Sequence, residues 1–489
     1  MAIYPIKELL EGLEYKIIGE IKNPMINRFI DHSKQIQKGD VFVSETNNPS
    51  FIGEAIKNGA VAVLTENFIP DCAIPQIIVP YEMFLIKDKI SYMTYQKYGQ
   101  KIKVVGITGT NGKTTVASFT GQLLMQYGKS VCVIGTLGVY VNGKKLERRL
   151  RNNTTLPFYD FIQVIHYCYE HQIEYIVLEA SSQGLLDNRL GSYPIDVATF
   201  LNIGRDHLEF HGGMVPYKKS KELLVLLARN LVVNDNDEWC RSVAQRAYLP
   251  TKRFGGRSHN EVIFSKEGYL ENPGQFEFIV QGEKISIDMP NAGYHNGLNL
   301  GAAIANLLTL GFPCKDIQPV RLPDGRLDSV ENKQGIEVLI DYAHTPDALE
   351  ACLAAVASYA KRNIYVVFGC GGNRDKQKRK WMGEVATNYA TKAIITSDNP
   401  RYEDPNDIIT EIIRGADRSK VIIEPNRKKA IRRALEIAQS GDVVLIAGKG
   451  HEKEQIVKNE ILPFSDLEEV TNYFSELEGG VITKKDPVA

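Results

Sequence analysis

From residue 103 onward, short apolar runs alternate with amphipathic runs of helical length, and no other feature restricts the fold as strongly. The first series reads KVVGIT, TTVASFTGQLLMQ, SVCVIGT, FYDFIQVIHYCYEH, YIVLEAS and VATFLNIG. Such alternation predicts a parallel sheet covered by helices, because each apolar strand needs a crossover helix before it can pair in parallel with the next. A β-rich excursion follows, in which QFEFIVQGEKISIDM has period two, and the helix NGLNLGAAIANLLTLG closes this unit. A second alternating series starts near Leu322: IEVLIDYA, DALEACLAAVASYAK, NIYVVFGCGG, KRKWMGEVATNYA, KAIITSDNP, NDIITEIIRGA, KVIIEP, AIRRALEIAQ and DVVLIAGKG. Its functional-looking residues lie at the C-terminal ends of strands, where ligands bind in open α/β sheets. Before both series, GDVFVSE and AVAVLTE read as strands, FIGEAIKNGA as a helix, and DKISYMTYQKYGQK as an amphipathic helix leading onward. With 489 residues the chain exceeds one ordinary core. The expectation is an α/β protein of three domains: a small mixed domain at 1–98, a central parallel-sheet domain at 99–321 and a Rossmann-like domain at 322–489.

Charge excludes some functions. Lys plus Arg number 58 and Asp plus Glu 59, so no global field draws the chain to nucleic acid or an anionic membrane. The locally basic run RKKAIRRALEIA has apolar residues at helical spacing, which predicts a solvated helix face. The seven cysteines are scattered without C-x-x-C, mostly in apolar runs, as expected of buried reduced thiols and not of a zinc site or disulfide framework. The start MAIYPIKELLEG lacks a signal-peptide pattern, and no apolar run is long enough to span a bilayer, so a cytoplasmic protein is expected. The tail GGVITKKDPVA reads as mobile.

Chemistry enters at GITGTNGKTT, residues 106–115. Gly106, Gly109 and Gly112 permit a tight turn at a helix N-terminus, where backbone N–H groups can surround phosphate oxygens. Lys113 would reach the terminal phosphates, and Thr114 or Thr115 would ligate Mg²⁺. The spacing departs from the strict G-x-x-x-x-G-K-[ST] pattern, since residue 107 is Ile, and the bland alternative is a glycine turn with a surface lysine. Taken alone, the loop fits a kinase, an ATPase or a ligase equally. Glu179, ending the strand YIVLE, suits a Mg²⁺ ligand or an ordinary strand cap. His207 in NIGRDHLEF suits a second metal ligand or a structural histidine, and Lys218, Lys219 and Lys221 open a helix as functional or simply solvated lysines.

The motifs GTNGKTT, NTT, EASS, RDHLEFHG, YKKSK, HNGLNLGAA, DGRLD, DYAHTPDALE, GCGGNRDKQKR, SDNPRYEDP and AGKGHE occur in that order. In this the chain resembles the Mur ligases, the ATP-dependent amide synthetases of peptidoglycan assembly, most closely the type that adds the third peptide residue. The resemblance implies that Lys221, four residues after Tyr217, is the family's carbamylated lysine, whose anion ligates a second Mg²⁺. It implies ATP contacts at Gly109, Thr110, Asn111, Gly112, Lys113, Thr114, Thr115, Asn299, Arg326 and Asp341, with Tyr342 and His344 at the same strand end. Lys113, Glu179, His207 and Lys221 would be catalytic, with Thr114, Glu179, His207 and carbamylated Lys221 at the metal ions. The implied chemistry is transfer of the ATP γ-phosphoryl group to a substrate carboxylate, followed by attack of an amine on the acyl phosphate.

The amine is implied by DNPR. In this family that sequence marks acceptance of meso-diaminopimelate, with Arg401 gripping the distal carboxylate and Glu452 the distal ammonium. Arg374, Asp398, Asn399 and the Gly448 carbonyl would complete the pocket, whereas the bland alternative makes DNP a mere turn. On the donor side Ser33, Thr154, Thr155, Ser181, Asp187 and Arg189 match positions that contact a UDP-muramyl dipeptide. The family's D-S-R reads His32-Ser33-Lys34 here, its S-S-H reads Ser181-Ser182-Gln183, and a usual Gln is Asp187. The implied enzyme uses ATP, Mg²⁺, meso-diaminopimelate and UDP-N-acetylmuramoyl-L-alanyl-D-glutamate, acts as a monomer, and inserts into no membrane. Two alternatives stand beside it: a paralogue with another carboxylate donor, and a non-catalytic nucleotide binder or NTPase switch.

Overall fold

Strand Lys103–Thr108 is buried from Val104 onward and pairs in parallel with Tyr175–Glu179, which pairs in parallel with Val131–Gly135. Gly138–Val141 then turns back antiparallel on Val131–Gly135. The computed structural model describes residues 4–22, 25–80, 83–271, 274–289 and 293–479. The tail expected to be mobile therefore lies, from residue 480, outside the described residues. The chain divides into two units: residues 1–108, 127–198 and 220–231 form the first, and 109–126, 199–219 and 232–489 the second.

The first unit also holds a five-stranded sheet, ordered Lys16–Ile18, Gln76–Ile78, Ala62–Thr65, Val41–Ser44 and Phe29–Ile30, parallel except for its Lys16–Ile18 edge. Helix Pro49–Lys57 covers it, packing Ile52 and Ala55 against Ile30, Phe42 and Val63. Asn48 starts that helix by accepting from Ser50 N at 3.0 Å, with proline at the first helical position. The expected linking helix runs Met83–Thr94 and widens into a π turn at Tyr95–Gly99. Gly99 is required there, because a Cβ would sit 2.0 Å from the Tyr95 ring.

In the second unit, helix Lys113–Gln126 packs against Tyr294–Thr309. Asn306 joins them to the strand Ile195–Phe200: its amide donates to Thr120 Oγ1 at 3.1 Å and its oxygen accepts from Thr199 at 2.6 Å. The β-rich excursion forms Thr251–Gly255, Val262–Phe264, Gln275–Val280 and Glu283–Asp288, and burial alternates along Gln275–Val280 as the period-two pattern predicts.

The second alternating series forms a six-stranded sheet, ordered Asp328–Val330, Glu337–Asp341, Val443–Ala447, Ile364–Phe368, Lys392–Ile395 and Val421–Ile423. Only its Asp328–Val330 edge is antiparallel. Helices Pro346–Ala357, Gln377–Tyr389 and Pro405–Ile413 bury Leu353, Met382 and Ile409 on one face. Arg427–Ile437 and Asp466–Leu477 bury Ile431 and Phe474 on the other. The central strands Val443–Ala447 and Ile364–Phe368 are apolar and buried along their whole length because both faces are covered.

Two expectations need correction. The basic helix Arg427–Ile437 is not simply a solvated face. Arg427 is buried, gives Asp466 two hydrogen bonds of 2.8 and 2.7 Å and donates to Ala447 O, while Arg432 pairs with Glu469 and Glu476. An acidic neighbour helix, distant in sequence, neutralises it. The lysine-rich helix starts at Met214, so Lys218, Lys219 and Lys221 lie in its later part and do not open it.

Candidate active site

At the phosphate loop, the second unit begins with Gly109 at φ +155° and Gly112 at φ +90°. A side chain on Gly112 would collide with Asn299, whose Oδ1 lies 2.5 Å from where a Cβ would be. Neighbouring backbone ties the loop down: Thr110 N donates to Asn202 O at 3.0 Å and Asn111 N to Asn202 Oδ1 at 2.9 Å. Thr110 Oγ1 accepts from Gly204 N at 2.9 Å and lies 3.1 Å from the Tyr217 hydroxyl. Lys113 folds back over the loop and donates to the Gly109 and Thr110 carbonyls, both at 2.9 Å. A cation held above a glycine turn, with helix Lys113–Gln126 starting beneath it, is the arrangement that accepts a polyphosphate.

Arg326 approaches Thr114 Oγ1 at 3.4 Å, and its guanidinium lies 4.6 Å from the Tyr342 ring centre. Asp341 places the turn that carries Arg326: its two oxygens accept from Leu327 N at 2.8 Å and Ala343 N at 2.7 Å. The sequence-selected residues Gly109 to Thr115, Asn299, Arg326 and Asp341 thus gather in one place. Asp206 is a member that sequence reasoning passed over. It is buried, and its carboxylate faces His207 Nε2 at 3.3 Å and His344 Nε2 at 3.6 Å. Burial works to raise its pKa, but the His344 hydrogen bond and the charges of His344, His207 and Lys378 hold it well below the usual carboxylate range. His207 itself has left-handed backbone, φ 53°, and its N–H donates to Asp206 Oδ1 at 3.0 Å. Non-glycine residues adopt that geometry mainly where neighbouring contacts enforce it.

The acceptor candidates converge at the C-terminal ends of the six-stranded sheet. Asn399 Nδ2 donates to Glu452 Oε2 at 3.1 Å, and Ile456 N donates to Asn399 Oδ1 at 2.9 Å. Lys449, fully buried and unremarked in the sequence, donates to Glu452 Oε2 at 2.7 Å and to Asn399 Oδ1 at 3.2 Å. Asp398 uses Oδ1 on Asn399 N at 2.7 Å, while its buried Oδ2 has no hydrogen-bond partner. That oxygen explains Gly448, since a Cβ there would lie 2.9 Å from it. Arg401 has φ 52° and donates from Nη1 to Gly372 O at 3.1 Å and Asn399 O at 3.3 Å. Burial, then the nearby Arg374 charge, lowers its pKa, against Asp398 and Glu452, which work to raise it. Arg374 lies 3.7 Å from Glu209 and above the Phe210 ring.

Arg379, a second residue the sequence left without a role, is fully buried under this pocket. It donates to Glu403 through Nη1 and Nη2 at 2.9 Å each, to Glu411 at 2.9 Å and to Gly371 O at 3.2 Å. Glu403 in turn accepts from Asn373 N, and Tyr402 N donates to Asn373 Oδ1 at 3.1 Å, which ties the GCGGNRD loop to the DNPRYE loop. The Arg379 hydrogen bonds are the largest cause that brings the Glu403 pKa down to about 2.

The first unit holds the other cluster. Glu179 ends its strand with Oε1 accepting from Thr136 N at 2.9 Å and Oε2 accepting from Thr136 Oγ1 at 3.2 Å. Thr154 meets Thr136 at 3.1 Å, and Thr155 donates to Glu179 O at 2.8 Å. Ser181 caps helix Ser182–Leu186 through Gly184 N and lies 3.0 Å from Thr155 Oγ1. Arg189 donates to Thr155 O at 3.0 Å and pairs with Asp187 at 2.8 Å. Thr154, Thr155, Glu179, Ser181, Asp187 and Arg189 therefore form one network. Ser33 stands outside it, its hydroxyl donating to Glu54 Oε2 at 2.5 Å. Of the three lysines, Lys221 is buried, Lys218 intermediate and Lys219 exposed.

The residues present fit the groups the chemistry calls for. The Thr114 hydroxyl and Glu179 carboxylate are hard oxygen donors suited to Mg²⁺. Among the described residues no three His, Cys, Asp or Glu side chains form a preformed metal cage.

Residues 107–307 match the Mur ligase middle domain and residues 325–450 the Mur ligase glutamate ligase domain. The chain is 33% identical over 477 residues to the UDP-N-acetylmuramoyl-L-alanyl-D-glutamate--2,6-diaminopimelate ligase of Syntrophomonas wolfei, covering 94% of this chain and 96% of that protein. It is 33% identical over 483 residues to the ligase of the same name from Clostridium botulinum, covering 96% and 99%. A solved structure of a ligase of that name superposes with a TM-score of 0.66 at 27% identity, covering 98% of this chain and all of the other. MurF from Acinetobacter baumannii, at 18% identity and TM-score 0.69, covering 91% and 95%, shares the fold.

Proposed function

The chain belongs to the Mur ligase family, and from that premise we propose that it joins meso-diaminopimelate to the γ-carboxyl of UDP-N-acetylmuramoyl-L-alanyl-D-glutamate at the expense of ATP, in peptidoglycan precursor synthesis. Residues 1–98 would receive the donor nucleotide, 99–321 the ATP and 322–489 the amino acid. The enzyme works as a cytoplasmic monomer. The observation that carries the acceptor assignment is the paired placement of Arg401 and Arg374 beside buried Asp398, with Glu452 held by Asn399 and Lys449. Diaminopimelate has a distal carboxylate for the guanidinium and a distal ammonium for the acids.

A carboxylate is a poor electrophile because its oxide does not leave. Phosphorylation by the ATP γ-phosphoryl group gives an acyl phosphate, and attack by the amine then expels phosphate through a tetrahedral intermediate. Lys113 and Arg326 neutralise charge on the transferring group, while the loop N–H groups hold the phosphates in place. Asn299 and Asp341 fix the nucleotide side, the latter by setting the Arg326 turn. Mg²⁺, when bound, would supply further charge neutralisation, and Thr114, Glu179, His207 and a carbamylated Lys221 are the residues that would hold it. Lys221 is buried and Lys219 exposed, which separates the two lysines, and a carbamate on Lys221 would have oxygens for a metal. Thr154, Thr155, Ser181, Asp187 and Arg189 would hold the peptide end of the donor, their network having set its geometry beforehand.

The test is amide formation from UDP-N-acetylmuramoyl-L-alanyl-D-glutamate with diaminopimelate or lysine at matched concentration. Diaminopimelate should be preferred by about a hundredfold or more in kcat/KM. Equal use of lysine would refute the acceptor. One observation favours the paralogue reading: the Ser33 hydroxyl, a donor-contact candidate, already bonds Glu54. Calorimetry with UDP decides this, since absent UDP binding beside normal ATP binding would replace the donor but not the chemistry.

A further inference from the structure

Arg379, Arg427 and Lys449 are all buried beside the acceptor candidates. Two of these cations pair with acids that have no part in the proposed acceptor pocket: Arg379 with Glu403 and Glu411, and Arg427 with Asp466. Lys449 differs. Its ion pair is with Glu452, the very residue assigned to the acceptor's distal ammonium.

The backbone explains how a lysine comes to be there. Gly448 has φ +115° and Gly450 φ +52°, and Glu452 N donates to Lys449 O at 2.9 Å, so the chain reverses directly after strand Val443–Ala447. The Lys449 side chain is fully buried in that turn, whereas Glu452 keeps 27% of its side-chain surface exposed and can meet a ligand. Three hydrogen bonds then close a triangle. Lys449 Nζ donates to Glu452 Oε2 at 2.7 Å and to Asn399 Oδ1 at 3.2 Å, and Asn399 Nδ2 donates to Glu452 Oε2 at 3.1 Å. Ile456 N gives Asn399 Oδ1 a second donor at 2.9 Å, which fixes the amide with its oxygen toward two donors and its nitrogen toward the carboxylate. Both bonds to the Glu452 side chain use Oε2 and neither uses Oε1. The carboxylate is thus held in one orientation, and an ammonium 2.7 Å behind it already offsets its charge. Asp398, by contrast, keeps a buried Oδ2 without a hydrogen-bond partner.

Resting on the acceptor reading above, we propose that Lys449 is a positioning residue that makes the pocket read the distal carboxylate of the amino acid ahead of its distal ammonium. Glu452 offers an aimed Oε1 as a hydrogen-bond acceptor, but no unopposed negative charge. Lysine brings an ammonium alone, so it sets a second cation near Lys449 and leaves Arg401 without a carboxylate. Diaminopimelate brings both groups: its carboxylate answers Arg401, and its ammonium adds a bond to Oε1. Discrimination against lysine then has two sources, an attraction at Arg401 that lysine lacks and a repulsion from Lys449 that the second carboxylate offsets.

Four amino acids separate the two distal groups. Norleucine has neither, lysine has the ammonium, 2-aminopimelate the carboxylate, and diaminopimelate both. Each is assayed for amide formation by the full chain at saturating ATP and acyl donor. In the wild type, adding the carboxylate to norleucine should raise kcat/KM about tenfold more than adding the ammonium does. Lys449→Gln keeps a donor for the triangle and removes the charge. It should raise the use of lysine relative to diaminopimelate about tenfold, mainly through KM for the amino acid, with KM for ATP unchanged. Lys449→Gln combined with Glu452→Gln should abolish that shift, because no lone carboxylate is then exposed. Parallel losses for lysine and diaminopimelate in Lys449→Gln would mark a merely structural lysine and overturn the proposal, while leaving the acceptor assignment in place. If a melting curve shows that Lys449→Gln does not fold, the wild type decides: 2-aminopimelate used better than lysine supports the proposal, and the reverse order overturns it. Equal use of all four by the wild type, or of none, would overturn the acceptor assignment and this inference together.

Discussion

The Glu179 network and the Arg401 pocket solve opposite problems. Around Glu179 the side chains are mostly hydroxyls, and they answer one another: Thr136 covers both carboxylate oxygens and Thr155 bridges Glu179 to Ser181. Around Arg401 one cation faces another, and Asp398 keeps a buried oxygen without a donor. The first arrangement is complete in itself and fixes geometry. The second is incomplete, and the proposed zwitterionic acceptor would complete it. General catalytic power should therefore be lost at the first cluster and the phosphate loop, and choice of substrate at the second.

The sharpest way to break this contrast is to remove charge at the chemical centre. Lys113→Ala, or Glu179→Gln, which keeps an acceptor for Thr136, should lower phosphate release by about three orders of magnitude or more. Near-normal release from either variant, in a phosphate-release assay, would place the chemistry elsewhere. Next in size is Lys221→Ala, expected to be nearly inactive but partly restored by short-chain carboxylic acids, with exposed Lys219→Ala mild. Equal losses without rescue would make both lysines parts of a basic patch.

Arg401→Ala belongs to the other region. It should erase most of a roughly hundredfold preference for diaminopimelate over lysine, since losing one member of a buried charge pair costs about 3–5 kcal/mol, and it should leave ATP affinity intact. A matched fall for both amino acids would mean that Arg401 shapes the loop and selects nothing. The smallest effect is at Glu403. Its folded pKa is depressed from 4.5 to about 2, mainly by Arg379, so its contribution to stability is full above pH 4.5 and is lost as pH falls towards 2. Glu403→Gln should flatten the acid limb of a stability-versus-pH curve between those values. An unchanged limb would show that Arg379 does not rely on it.

The same contrast explains what was legible in the sequence. Strand–helix alternation and the glycines of 106–112 report local backbone demands, so both sheets and the phosphate loop could be read directly. The hydroxyl network could be located by motif. Buried charges could not. Arg379 drew no role and Arg427 read as part of a solvated face, because the acids that make their burial possible lie elsewhere in the chain: Glu403 is 24 residues from Arg379 and Asp466 is 39 from Arg427. Asp206 was overlooked for a related reason, since one of its two histidines, His344, arrives from another strand end. The lysine helix begins earlier than expected, with Pro216 inside the first turn beginning at Met214.

One backbone detail bears on how such an enzyme changes its amino acid over evolutionary time. Arg401 pairs with Val457 as a bridge: its N–H donates to Ile456 O at 3.1 Å and its carbonyl accepts from Lys458 N at 2.7 Å. The hairpin formed by Glu454–Val457 and Glu460–Pro463 thus holds Arg401 in its left-handed geometry. On the proposed assignment of Arg401, acceptor preference would depend on two segments together. A chimera that imports a DNP loop without its hairpin starts from a misregistered pair, whereas one that moves both carries the specificity intact.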